Sequence, residues 1–85
     1  MDNAKQSSVG GPERITGEVI AEFSRACCKY PPFNSAHEGY AILLEEVEEL
    51  WAEVMKKGYA RNPVNMRQEA IQIAAMAMRF AMDLT

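Results

Sequence analysis

The chain has 85 residues and a formal net charge of −3, with 48% hydrophobic residues and 25% charged ones. That length limits it to one small domain, in which a core alone seldom suffices and metals, disulfides or association often help. The acidic balance argues against a nucleic-acid polymer as partner, which calls for a basic patch, and no apolar run reaches membrane-spanning length.

Residues 1–12 are polar and end in Gly10-Gly11-Pro12, which predicts a loosely held tail before a single domain over 13–85. The N-terminus is too polar for a secretory signal, so the expected compartment is the cytoplasm. The charge is uneven: residues 1–35 carry four acids and four bases, and the remainder carries eight acids against five bases.

The first predicted helix covers about 13–29. Ile15, Val19, Phe23 and Cys27, with Ile20, Ala26 and Tyr30, recur at three- and four-residue steps and form one apolar stripe. Gly17 weakens its first turns, and Pro31-Pro32 ends it. Cys27 and Cys28 are adjacent, a spacing that does not suit a disulfide on a helix; they are expected to be buried or half-buried thiols.

The second predicted helix covers about 36–57. Ser35 followed by Glu38 reads as a capping box. Lys56 and Lys57 suit the negative end of the helix, with Gly58 as its C-terminal cap. The third helix covers about 63–84, starting either from Asn62-Pro63 or from a competing box, Asn65 with Gln68. Its apolar residues cover most of the circumference, broken by Glu69, Gln72, Arg79 and Asp83 in one narrow strip. A helix of that kind needs cover on nearly all sides. The expected architecture is therefore all-α, about three helices per chain, assembled into a homo-oligomeric bundle with the third helix at its centre.

The second helix contains the run Glu45-Glu46-Val47-Glu48-Glu49. At about 100° per residue, Glu46, Glu49 and Glu53 form one stripe beside the apolar face, while Glu45 and Glu48 point further out. Like charges at these spacings repel, and a cation near Glu46 and Glu49 would offset that. If a short loop folds the third helix back, Glu69 and Gln72 can face Glu46 and Glu49, an oxygen-rich set that suits Mg²⁺ or Mn²⁺. Ordinary alternatives stand beside this. Glu48 reads as solvated surface, Glu53 can pair with Lys56 or Lys57, Glu69 can answer the helix N-terminus, and Arg79 can pair with Asp83. His37 reads as a surface residue, and the Glu-x-x-His pairs of a di-iron bundle are absent.

These residues resemble the all-α nucleoside triphosphate pyrophosphohydrolase superfamily: MazG, the dimeric dUTPases and the dCTP pyrophosphatases. Residues 45–49 fit its E-E-x-x-E motif, and Glu69-Ala70-Ile71-Gln72 stands, after 19 intervening residues, where E-x-x-D is expected. The likeness covers roughly 13–84 and is nearest to the short MazG-like proteins of phages and mobile elements. It implies a helical dimer or tetramer that converts a (d)NTP to the (d)NMP and pyrophosphate, with Mg²⁺ held by Glu46, Glu49 and Glu69 and with Glu45 orienting or deprotonating the attacking water. Lys56, Lys57, Arg61 and Arg67, in or near the connecting loop, are the candidates for phosphate contact. Phe23, Tyr40 and Trp51 are the candidates for a base pocket. Gln72 departs from the pattern, since an amide oxygen can ligate Mg²⁺ but brings no charge. That leaves a rival expectation, a degenerate helical oligomer that binds nucleotide or a protein partner.

Overall fold

The computed structural model describes residues 11–85, and within them it is all-helical. The expected tail falls, for residues 1–10, outside the described residues. Pro12 belongs instead to the first helix, α1 (Pro12–Lys29), where it occupies the first turn and loses no hydrogen bond. The chain leaves α1 at Tyr30, which is extended because prolines follow, while its N–H still donates to Ala26 O at 2.9 Å.

The second helix, α2, spans Ala36–Val54. The Ser35 hydroxyl accepts from Glu38 N at 3.1 Å. The return bond of the box is displaced by one residue, since Glu38 Oε1 accepts from Asn34 N at 2.6 Å. The expected end at residue 57 is corrected to Val54. The last turn tightens, with Lys56 N donating to Glu53 O at 3.3 Å, and Lys57 is extended. Gly58 is therefore no helix cap; it opens a short 3₁₀ turn, Gly58–Ala60, and has no positive φ.

The third helix, α3, spans Pro63–Leu84. Asn62 Oδ1 accepts from Val64 N at 2.8 Å and Asn65 N at 3.4 Å, so of the two candidate starts the Asn62 cap is the one used. The helix packs against both α1 and α2, which do not pack against each other. Two of its sides are thus taken by its own chain, while Val64, Ala70, Ala77, Ala81 and Met82 still reach solvent, and a line of larger exposed apolar residues lies on α2. Tyr40, Leu44, Val47, Trp51 and Met55 recur there at helical spacing, with Tyr40 61% and Trp51 57% exposed.

The core is thin. Ala26, Ala75 and Met76 are buried, with Val19, Phe23, Phe33, Ile42 and Leu43 packed against them. Two devices bring the helices together. Gly39 is buried, and a Cβ there would lie 2.8 Å from Phe80 Cδ2 and 2.9 Å from Leu84 Cδ1, so only a hydrogen allows α2 this close to the end of α3. Arg79, 3% exposed, donates to Pro31 O at 2.7 Å, lies 4.6 Å from the Phe33 ring centre and pairs with Asp83 at 3.9 Å. Asp83 accepts in turn from Phe33 N at 3.1 Å. The α1–α2 connection is thereby fastened to α3.

Cys27 is half-buried as expected, but Cys28 is exposed, because α1 is covered along one side only; both are free thiols. His37 is exposed. No helix among the described residues is long and apolar enough to cross a membrane.

Candidate metal centre and adjoining cleft

The short connection makes α2 and α3 antiparallel: Gly39 lies against Phe80 and Leu84 at one end, and Glu49 against Glu69 further along. Glu46 and Glu49 lie three residues apart and so share a face of α2. Glu69, on the strip of α3 turned toward them, completes a set of three carboxylates. Each contributes an oxygen, and these oxygens lie within 4.8 Å of one another. Exposed acids gather without consequence on many surfaces; here Glu49 is exposed, and the other two are partly covered. Glu46 and Glu69 are half-buried, and one oxygen of each, Oε1 in both cases, is shut from solvent with no hydrogen-bond partner among the described residues.

The electrostatics follow from that placement. Burial, then the neighbouring charges of Glu49 and Glu69, push Glu46 up to about 7. Burial likewise raises Glu69, with the neighbouring Glu49 carboxyl adding to it. A buried carboxylate left without a hydrogen bond or counter-charge is costly. Such a site is stabilised by a proton or by a cation, and the hard oxygen donors suit Mg²⁺ or Mn²⁺ over softer metals. Glu69 lies beyond the first turn of α3, where the helix dipole has little remaining effect, so its surroundings are the α2 carboxylates rather than the helix end.

The other acids are placed differently. Glu53 pairs with Lys56 at 3.0 Å. Glu48 is exposed. Glu45 is also exposed, yet it lines a cleft of about 470 Å³ together with Glu46 and Gln72. That cleft is bounded by α1, the α1–α2 connection, α2 and α3. Its apolar walls include Tyr30, Pro31, Phe33, Ile42 and Met76, and Arg79 lies at its edge.

The candidate aromatic pocket, Phe23, Tyr40 and Trp51, does not form this cleft. Phe23 packs on the core, and Tyr40 and Trp51 belong to the outer stripe of α2. Tyr30 and Phe33 stand in the cleft instead. Their signal in the sequence is the rigid Tyr30-Pro31-Pro32-Phe33 segment, which read only as a helix stop. The basic candidates also lie elsewhere. Lys56 is tied to Glu53, Arg61 donates to Lys56 O at 3.2 Å, and Lys57 is exposed outside the cleft. Arg67 makes a two-point contact with Glu18, at 3.1 and 2.6 Å, and borders a second hollow of about 410 Å³ between α1 and α3. Two cations line the cleft, the enclosed Arg79 and the exposed Arg25, which is paired with Glu22. Its i,i+3 spacing from Glu22 is visible in the sequence, but nothing in the sequence turns that pair toward α2 and α3.

No protein-family model, curated protein or solved structure matches the chain.

Proposed function

We propose that this chain is a Mg²⁺-dependent nucleoside triphosphate pyrophosphohydrolase, converting a (d)NTP to the (d)NMP and pyrophosphate in the cytoplasm and so clearing unwanted nucleotides. The observation that carries the reading is the set Glu46, Glu49 and Glu69, with two shielded and unpartnered oxygens, opening beside a cleft with aromatic walls. Glu46, Glu49 and Glu69 hold Mg²⁺ or Mn²⁺, with Gln72 as a neutral oxygen donor at the cleft. The cation supplies positive charge against the phosphate oxygens.

The chain's own groups supply the rest. Phosphoryl transfer depends on positioning and charge more than on covalent chemistry. Glu45, exposed at the mouth of the cleft, accepts a proton from the attacking water as the bond between the α- and β-phosphates breaks and pyrophosphate leaves. Tyr30 and Phe33 offer flat apolar surfaces for a base, in place of Phe23, Tyr40 and Trp51. A second copy of the chain covers the α2 stripe in a dimer or tetramer. Contiguous exposed apolar surface on that scale marks association, and the thin core calls for it.

One observation favours the rival reading, a degenerate oligomer that binds nucleotide or a protein partner: Gln72 brings no charge to the cleft. The two separate in one assay, with purified protein, Mg²⁺ or Mn²⁺, a panel of NTPs and dNTPs, and detection of pyrophosphate. The hydrolase releases pyrophosphate from at least one of them, and Glu49→Ala lowers the rate by on the order of a hundredfold or more. No release from any nucleotide, with wild type equal to Glu49→Ala, sinks the enzyme.

A further inference from the structure

The cleft beside the acids and the hollow between α1 and α3 have three residues in common: Glu22, Arg25 and Gln72 line both. Glu46 borders only the cleft, and Arg67 and Gln68 border only the hollow. A chain of phosphates whose first group sits at Glu46 therefore has a route into the hollow past Gln72 and the Glu22–Arg25 pair. That route is about the right size, since the hollow of about 410 Å³ exceeds the volume of a pyrophosphate and contains a second guanidinium, on Arg67.

The ion pair at the crossing is asymmetric. The Glu22 side chain is 19% exposed and the Arg25 side chain 55%. The acid is held by its surroundings, whereas the guanidinium is largely in water and can turn on its long stem. Exposed pairs of this kind are weakly held, and a guanidinium binds phosphate through two parallel charge-assisted hydrogen bonds. The other basic side chains near the site are paired too, Lys56 with Glu53, Arg67 with Glu18 and Arg61 with the Lys56 carbonyl, but of these cations Arg25 is the one that lines both the cleft and the hollow.

We infer that Arg25 binds the phosphate chain of the substrate, exchanging the Glu22 carboxylate for phosphate oxygens where the cleft and the hollow meet, and that the β- and γ-phosphates extend into the hollow toward Arg67. This rests on the hydrolase reading above and names the part of the chain that recognises the triphosphate. Arg25 and Glu22 then have opposite effects on the same ligand. Arg25 attracts the phosphates, and Glu22 competes with them for the guanidinium.

The test uses the full chain, Mg²⁺ and inorganic tripolyphosphate, with binding followed by titration calorimetry and folding by circular dichroism. Arg25→Gln weakens the dissociation constant by about tenfold, the scale of a lost charge-assisted contact. Glu22→Gln removes the competitor and tightens it severalfold. An Arg25→Gln constant within twofold of wild type overturns the inference. So does a Glu22→Gln that weakens binding as much as Arg25→Gln, because that outcome makes the pair a prop for α1. A wild type that does not bind tripolyphosphate overturns it as well. If wild type releases pyrophosphate while Arg25→Gln binds unchanged, the role of Arg25 falls and the hydrolase stands.

Discussion

The two ends of α3 treat buried charge in opposite ways. Toward its C-terminus, Arg79 and Asp83 are both almost fully enclosed, and each has partners within the chain: the Pro31 carbonyl, the Phe33 ring, the Phe33 amide and one another. Toward its N-terminus, Glu69 faces two more carboxylates, and one shielded oxygen each on Glu46 and Glu69 has no hydrogen-bond partner among the described residues. The first end is a structural junction in which opposite charges face each other, although Arg79 Nε there is also buried without a partner among the described residues. The second gathers like charges with no counter-charge facing them among the described residues, and a proton or a cation relieves it. The contrast separates a charged cluster that holds the fold together from one that we propose as a cation site.

The junction carries the largest expected effect on stability. Arg79→Ala leaves Asp83 buried without its counter-charge and the Pro31 carbonyl without its donor, which costs about 3–5 kcal/mol. Urea denaturation is the measurement, and a loss under about 1 kcal/mol would place this pair with ordinary surface ion pairs. Gly39→Ala comes next. The added methyl meets Phe80, Leu84 and Phe33 at 2.8, 2.9 and 3.2 Å, and the forced repacking costs on the order of 1–3 kcal/mol. A neutral Gly39→Ala would mean that α2 and α3 are not so close. Gly17→Ala has the opposite sign and the smallest size. No atom lies within 4 Å of a Cβ there, so the helix gains roughly 0.5–1 kcal/mol, read as a rise in the denaturation midpoint.

Much of this was legible in the sequence, and the limits have physical causes. Local signals acting on their own turn were reliable: the Ser35 and Asn62 caps and the Pro31-Pro32 stop fixed helix boundaries, because capping groups reach only two or three residues. Lys56-Lys57-Gly58 misled, since a glycine after basic residues fits a helix cap and a 3₁₀ turn equally well. Glu46, Glu49 and Glu69 could be paired because spacing fixes the face of a helix and a short loop fixes the return. The cleft could not be anticipated. It depends on where the α1–α2 connection lies, and Arg79 and Asp83, which read as an isolated i,i+4 pair, are what position it. Nor could the sequence show which apolar face stays uncovered, because α1 and α2 both chose α3 and left the outer stripe of α2 exposed.

The contrast between the two ends of α3 is tested most directly at Glu46. Burial and the neighbouring carboxylates push this carboxyl from its ordinary value near 4.5 up to about 7, so folding favours its protonated form. The resulting penalty is absent below about 4.5, grows as pH rises toward 7, and is fully present above. Melting temperatures of wild type and Glu46→Gln, at pH 5 and pH 8, with and without Mg²⁺, provide the measurement. Without metal, Glu46→Gln melts several degrees above wild type at pH 8 and close to it at pH 5. Mg²⁺ raises the melting temperature of wild type, more at pH 8 than at pH 5, and leaves Glu46→Gln unchanged. If wild type shows no response to Mg²⁺ or Mn²⁺ at pH 8, or if Glu46→Gln responds equally, the three carboxylates are not a cation site.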